Sequence, residues 1–317
     1  MKRAKDYLSK EELSSFTRAS DAMGLLALLV DWGIIAATFA VMARWPNPLT
    51  IALGVVVLGG RQLALAVLTH EASHRSLCRT RWLNDFVGRW LAGAPIWADM
   101  DRYRIHHLAH HSYTGTERDP DMCLVAPFPV SRTSFARKLW RDLNGRTGLR
   151  RMIGLFAMDF GFITYSASGD TRRIVDPEPF WPRVRLGFRR FFPVGLTNIA
   201  LGLTLAAFGH GWLYAIWVLA WLTTYSLFMR LRSIAEHACT ETSPDPFLNT
   251  RTVLAGPLAA LTVAPHGVNY HLEHHLVMTA PYFRLPALHR RLKEVGALED
   301  SPVERGYPAV WRRAIKI

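Results

Sequence analysis

TIALGVVVLGGRQLALAVLTHEASH, residues 50–74, contains the two features that decide this fold. The stretch up to Leu68 is predominantly apolar, Arg61 is its only charge, and about twenty such residues are needed to cross a bilayer core of ~30 Å. His70 and His74 follow at a spacing of four, which places both imidazoles on one helix face. The stretch therefore predicts a membrane helix that leaves the bilayer carrying a pair of metal ligands.

Three further apolar runs have the same length and are apolar all round, whereas the helices of soluble proteins usually keep a polar face. Together the four runs predict transmembrane helices in two hairpins, at about residues 23–43, 50–69, 191–208 and 211–229.

The positive charges predict the orientation. Of the 38 lysines and arginines in this 317-residue chain, 36 lie in residues 1–22, 70–190 and 230–317. By the positive-inside rule, both termini and the long middle segment are cytoplasmic. This topology, with attraction to anionic membrane lipid, accounts for the net charge of +13, and no nucleic-acid-binding module is apparent. We predict a single all-α integral membrane domain over residues 1–317, with a helical cytoplasmic cap (70–190 and 230–317) that holds two metals.

Four histidine clusters support the two-metal site. Neutral imidazole is a common ligand of iron, zinc and copper, and nine imidazoles are too many for one ion. The second cluster (residues 107–111) and the fourth (residues 271–275) repeat one spacing more than 150 residues apart. The predicted ligands are His70, His74, His107, His110, His111, His237, His271, His274 and His275.

Other residues near the clusters receive supporting roles or none. His106 points about 100° away from His107 on a helix, so we predict a hydrogen-bonding role for it. Glu71, Glu236 and Glu273 either orient ligands or are surface charges. Asp119 and Asp121 are interpreted as a turn or cap. His210, His266 and His289 are predicted not to be ligands.

Two other classes of protein compete with this interpretation. His70-Glu71-Ala-Ser-His74 also matches the zinc protease pattern, which would make the protein an intramembrane protease with Glu71 as general base. That hypothesis leaves the other clusters without a role. A metal carrier is disfavoured because carriers place polar ligands inside the bilayer.

The order of the histidine boxes resembles the integral-membrane fatty acid desaturase/hydroxylase superfamily, from about residue 20 to 292. Arg104-Ile-His-His-Leu-Ala-His-His111 with the following Thr114-Gly-Thr-Glu-Arg-Asp-Pro-Asp121 is similar to bacterial desaturases. So are Arg232-Ser-Ile-Ala-Glu-His-Ala238 and Asn269-Tyr-His-Leu-Glu-His-His275. One position departs: stearoyl-CoA-type members have an asparagine where this chain has Ser233, and Asn269 is the candidate substitute.

The resemblance implies an O2-dependent enzyme that holds two irons through these histidines in the cytoplasmic cap, in a bacterial inner membrane. It also implies a fatty acyl substrate carried by CoA, a carrier protein or a lipid. No fused cytochrome b5 signature is present, so a separate ferredoxin, rubredoxin or cytochrome b5 with its reductase would supply electrons. We predict a desaturase; a hydroxylase or an oxidative decarboxylase making a terminal alkene is the alternative on the same scaffold.

Overall fold

The computed structural model describes residues 3–316, and helices dominate it. Local sequence signals set the helix starts. Ser20 begins α2 (Asp21–Arg44), because its hydroxyl accepts the Met23 amide. Asn47 begins α3 (Pro48–Ser73) by accepting the amides of Leu49 and Thr50, with Pro48 at the first helical position.

Within residues 3–316, three helical segments are long and apolar enough to cross a membrane. They are Lys10–Arg44, which contains α1 (Lys10–Phe16) and α2, then α3, and α9 (Phe180–Ala207). α9 therefore begins eleven residues before the predicted start at 191.

The fourth predicted span, 211–229, is divided. α10 (Leu213–Leu222) ends at Thr223, whose φ of −110° and ψ of −87° leave the helical region, and α11 (Thr224–His237) continues beyond it. Just after this point, the Ser226 hydroxyl donates hydrogen bonds to the carbonyls of Trp221 and Leu222. Side-chain hydroxyls that bond to helix carbonyls in this way bend or break helices. The sequence pattern did not reveal this break.

Two charges inside the membrane-length helices α2 and α3 are paired. Arg61 of α3 donates to Asp31 of α2 at 2.9 Å and to the Leu261 carbonyl at 2.8 Å. His266 Nε2 lies 2.7 Å from the other Asp31 oxygen. The network joins the first hairpin to the segment that precedes His271, and it satisfies groups that would otherwise be costly to bury.

The remaining helices surround the long ones. They are α4 (Arg81–Phe86), followed by a π-helix (Val87–Gly93) and a 3₁₀ turn (Ala94–Ile96), α5 (Met100–Tyr113), α6 (Met122–Val125), α7 (Arg132–Leu143), α8 (Arg146–Asp159), α12 (Pro246–Asn249), α13 (Pro257–Leu261), α14 (His271–Leu276), α15 (Leu285–Glu294) and α16 (Tyr307–Arg313). Further 3₁₀ turns are Ala4–Asp6, Pro265–Gly267 and Tyr282–Arg284.

Two short parallel strands, β1 (Thr252–Val253) and β2 (Val303–Glu304), pair in the C-terminal part. The larger hydrophobic core lies among α2, α3, α10 and α11, with Met42, Leu63, Leu68 and Trp217 among its most buried side chains. This core fixes the end of α3 against α5 and α11. The histidine-bearing segments therefore meet at one end of the packed helices.

Candidate metal centre

Four helices position the predicted ligands. α3 ends at its C-cap His74, one turn after His70, and α5 carries the second cluster. His237 is the last residue of α11, and His271 is the first of α14. The helical spacings of three and four residues direct the rings of each cluster to one side.

One group of four imidazoles comes from three separate helices. His70, His74, His107 and His274 are all buried, and their potential ligand nitrogens lie within 4.8 Å of one another. The ring centroids of His70 and His107 are 4.4 Å apart, and those of His70 and His274 are 4.5 Å apart. We call this set the first histidine group.

A second group satisfies the same 4.8 Å criterion and consists of His110, His237, His271 and His275. The Nε2 atoms of His271 and His237 are 2.9 Å apart, and those of His275 and His271 are 3.2 Å apart. We call this set the second histidine group.

His111 lies between the two groups. Its Nε2 is 3.0 Å from Nε2 of both His107 and His274 in the first group, and its ring centroid is 4.2 Å from that of His275 in the second. The structure therefore brings all nine predicted ligands together, in two adjacent sets.

The donor arrangement fits bound metal ions. Two nitrogens that each lie ~2.1 Å from one ion at a right angle are ~3 Å apart, the spacing seen here. His74 Nε2 is buried without a hydrogen-bond partner in the described part of the chain. Neutral rings facing one another would repel through their lone pairs, and a cation between them removes that repulsion.

Burial keeps most of these rings neutral, which metal binding requires. Desolvation lowers the pKa of His74 to about 4 and that of His237 to about 3. The pKa values of His107, His271 and His274 lie well below the usual value for the same reason.

His110 is the exception. Desolvation lowers its pKa, but the hydrogen bond to Asp119 and the charges of Asp121, Asp119 and Glu236 outweigh burial, so the net pKa is raised.

Hydrogen bonds on the outer side of the rings fix several tautomers. His110 Nδ1 donates to Asp119 at 2.8 Å, and His237 Nδ1 donates to the Asn249 carbonyl at 3.1 Å. His70 Nδ1 lies 3.1 Å from the Tyr103 hydroxyl. In His110 and His237 the inner Nε2 is consequently left as the lone-pair donor.

Asp119 is a functional candidate that the sequence interpretation missed. Its carboxylate also accepts the Asp121 amide at 2.9 Å, so it does form the predicted turn while it holds His110. Asp121 accepts His106 Nε2 at 2.7 Å, which gives His106 a hydrogen-bonding contact outside the two groups. The Asp-Pro-Asp sequence eight residues after a histidine box was the available signal.

The glutamates that neighbour the boxes have different positions. Glu236 pairs with Arg232 at 2.6 Å, and its Oε1 lies 3.4 Å from His271 Nδ1. Glu71 accepts the Ser76 hydroxyl and the Tyr282 amide, each at 2.9 Å. These Glu71 contacts tie the end of α3 to a distant turn.

Glu273 and Asn269 also form structural contacts. Glu273 accepts His289 Nδ1 at 2.6 Å and the Thr252 hydroxyl. Asn269 donates to the Val253 carbonyl at 2.8 Å. None of these contacts of Glu71, Glu273 or Asn269 involves a histidine of the two groups.

The structure thus combines helices long and apolar enough to cross a membrane with two adjacent sets of converging histidines that could each hold a metal ion. Comparison with known proteins identifies the family. The chain belongs to the fatty acid desaturase family, whose model matches residues 43–306. The predicted resemblance is confirmed, and the protein is an oxidoreductase of that family.

Three relatives illustrate the range within the family. The chain is 26% identical to dihydrorhizobitoxine desaturase of Bradyrhizobium elkanii, over 84% of this chain and 74% of that protein. It is 24% identical to sn-1 oleoyl-lipid 12-desaturase of Picosynechococcus sp., over 84% of this chain and 76% of the relative. It is also 26% identical to a beta-carotene ketolase of Paracoccus sp., over 82% of this chain and 91% of the ketolase.

Proposed function

We propose that this protein introduces a double bond into a fatty acyl chain, with O2 as co-substrate and two irons held by the nine histidines. The observation that carries the proposal is the convergence of these imidazoles into two adjacent groups from four helices. Membership of the fatty acid desaturase family supports the reaction class. Bound iron would activate O2 at an open coordination position.

The electron count defines what the reaction needs. Reduction of O2 to two waters takes four electrons and four protons. Forming a double bond releases two electrons and two protons as two C–H bonds break. The other two electrons and protons come from outside, and the proposed electron source is a separate ferredoxin, rubredoxin or cytochrome b5 with its reductase.

The chain's own residues would contribute rigidity and exclusion of water. His110 and His237 are held in one tautomer by Asp119 and the Asn249 carbonyl, so their Nε2 lone pairs are already aimed inward. Most of the surrounding side chains are buried, and this shields a reactive centre from side reactions with water.

The proposed topology places the histidine groups at the cytoplasmic face of a bacterial inner membrane. The basic residues outside the apolar segments support this orientation. In this arrangement α10 and α11 together provide the fourth crossing, with the break at Thr223 inside it. The acyl substrate would reach the site from the bilayer, carried by CoA, a carrier protein or a lipid.

Hydroxylation is the second candidate, because the chain also aligns with a ketolase over 91% of the ketolase's length. Both reactions, like the oxidative decarboxylation that would give a terminal alkene, begin by breaking one unactivated C–H bond. The zinc protease hypothesis is weakened by Glu71, whose carboxylate accepts Ser76 and the Tyr282 amide instead of standing free as a general base.

Lipid profiling tests the proposal directly. Expressed in a host of defined lipid composition, the wild type should produce acyl chains that have lost the mass of two hydrogens. A His274→Ala variant should not. Acyl chains that gained the mass of one oxygen atom would show that the protein is a hydroxylase and not a desaturase. Unchanged lipids together with one bound zinc would contradict the proposal.

A further inference from the structure

Trp97 separates two cavities outside the histidine groups. A polar cavity of about 430 Å³ and an apolar cavity of about 400 Å³ share only Trp97 and Val194 in their walls. Trp97 has a φ of +61°, in the left-handed region that bulky residues rarely adopt. Its indole donates to Asp159 at 3.3 Å and packs against Phe156. Such conformations often occur at binding sites.

The polar cavity has unneutralised positive charge. Two of its four arginines are paired with carboxylates: Arg102 with Asp99 and Asp159, and Arg89 with Asp101.

The other two arginines of the cavity have no carboxylate partner. Arg189 is exposed, and its side chain makes no hydrogen bond or ion pair within residues 3–316. The Arg190 guanidinium donates hydrogen bonds to the carbonyls of Met158 and Asp159, both at 3.3 Å, and forms no ion pair with the described residues. Adjacent guanidinium groups of this kind recognise phosphate.

The apolar cavity offers little polar surface to a ligand. Its one amide side chain is satisfied internally: Asn198 donates to the Val194 carbonyl at 2.9 Å and accepts the Tyr214 hydroxyl at 3.2 Å. Most of the remaining lining is aliphatic or aromatic, including Ile199 and Trp217. The cavity therefore suits a hydrocarbon chain.

The two cavities follow one another along α9 in the order of an amphiphile in a bilayer. Arg189 and Arg190 line the polar cavity near the start of α9, whereas the α9 residues that line the apolar cavity run from Phe191 to Gly202. Trp90 and Trp97 lie at the polar cavity, as tryptophans commonly do at headgroup depth.

We propose that a glycerophospholipid binds here, with its phosphate at Arg189 and Arg190 and one acyl chain in the apolar cavity beyond Trp97. The site is distinct from the two histidine groups, and the proposal does not depend on the reaction they catalyse. A membrane lipid is the occupant because the apolar cavity lies between α9 and α10, at the depth where bilayer lipids are the available amphiphiles.

Native mass spectrometry of the purified full-length protein in detergent tests this site. The probes are dioleoyl phosphatidylglycerol, dioleoylglycerol, which lacks the phosphate, and oleoyl-CoA. The wild type should retain one phosphatidylglycerol and show at least about tenfold weaker binding of dioleoylglycerol.

Two variants remove one half of the site each. Arg189→Gln should weaken phosphatidylglycerol binding about tenfold and leave dioleoylglycerol binding unchanged. Its control is Arg185→Gln, an exposed arginine of the same helix outside the cavity. Gly202→Leu should obstruct the chain, since a Cβ there meets Tyr214 at an ordinary 3.7 Å and a longer side chain extends into the cavity. Its control is Gly33→Leu on α2, where a Cβ has no neighbour within 4 Å.

The proposal is overturned if Arg189→Gln and Gly202→Leu retain phosphatidylglycerol as well as their controls do. Equal binding of dioleoylglycerol would overturn the phosphate contact, and displacement of phosphatidylglycerol by equimolar oleoyl-CoA would assign the site to a different amphiphile. Unchanged thermal transitions of the two variants would show that lost binding is not lost folding.

Discussion

The first and second histidine groups use the same ligand type but are supported differently. In the second group, His110 donates to the Asp119 carboxylate at 2.8 Å and His237 to a backbone carbonyl. In the first group, His70 Nδ1 lies 3.1 Å from the uncharged Tyr103 hydroxyl. His274 Nδ1 of the first group and His271 Nδ1 of the second have no hydrogen-bond partner among the described residues. The difference lies in charge: a carboxylate stands behind His110 in the second group, whereas the hydrogen bond to His70 in the first group comes from a neutral hydroxyl.

This difference has an electrostatic consequence. A carboxylate behind an imidazole raises its basicity and strengthens its bond to a metal. His110 accordingly has a raised pKa, whereas burial lowers that of His74 to about 4. We expect the second group to respond to loss of its hydrogen-bonding partners, and the first to respond mainly to loss of the ligands themselves.

Ligand removal should have the largest effect and should not distinguish the groups. His274→Ala in the first group and His110→Ala in the second should each lower turnover by more than about a hundredfold, because the proposed reaction needs both irons. Iron analysis should show about one ion lost from each variant. His210→Ala, outside both groups, is the control; if it matched either variant, the ligand assignment would be wrong.

Removal of the residues that hydrogen-bond to the ligands should affect the two histidine groups differently. Asp119→Asn leaves the ring of His110 in place but removes the charge behind it, and it should weaken iron binding by about 10- to 100-fold. Tyr103→Phe removes the hydrogen bond between the Tyr103 hydroxyl and His70 Nδ1 and should weaken iron binding about threefold or less, since no charge is involved. The measurement is iron retention against a chelator.

Asp300→Asn, at an exposed carboxylate, controls for the change in net charge. Equal losses from Asp119→Asn and Tyr103→Phe would remove the proposed difference between the groups.

The comparison also shows what sequence alone could predict. Eight of the nine histidines were recognisable because spacings of three and four residues place rings on one helix face, whatever the tertiary structure. His237 was predicted instead from Glu236 beside it and from its position after the fourth apolar run. Asp119 was not, because a turn after α5 folds it back onto His110, and the turn-forming chemistry of aspartate already explained it. The contacts of Glu71 and Glu273 likewise depend on distant partners, Tyr282 and His289.

The apolar pattern of the sequence likewise predicted the long helices but not an interruption that depends on tertiary packing. Apolar length predicted α2, α3 and α9 as membrane-length helices. The break at Thr223 could not be predicted from the sequence, because threonine and serine hydroxyls interrupt a helix only where the packing of neighbouring helices permits it. Here a Cβ on Gly148 of α8 would lie 2.3 Å from the Leu222 carbonyl, so the two backbones approach closely at the break.

Acidification should destabilise the iron-free protein, because burial lowers the pKa of most of the clustered histidines. An unfolded histidine binds a proton near pH 6.5, while folded His74 stays neutral until about pH 4. Between these values the unfolded state binds more protons, so stability falls as pH decreases, by about 3 kcal/mol for His74 alone.

The contribution of His110 to the pH dependence of stability has the opposite sign. Its raised pKa contributes stability that is present below pH 6.5 and is lost as pH rises through the folded value. Asp119→Asn should remove this opposing contribution, so the melting temperature of iron-free Asp119→Asn should fall more steeply from pH 7 to pH 5 than that of the wild type. Parallel curves would show that Asp119 does not support His110 in the way inferred.

The smallest expected effect comes from a residue that serves both groups. His289 holds the buried Glu273 carboxylate of α14, the helix that carries His274 of the first group and His275 of the second. His289→Ala should lower stability by ~1–2 kcal/mol, because a buried acceptor loses a partner. Since α14 is shared, iron retention should decrease by the same small factor at both groups, whereas Arg290→Ala, at the exposed neighbouring position, should leave it unchanged. A loss confined to one group would show that α14 does not move as a unit and that the two sets of ligands are supported independently.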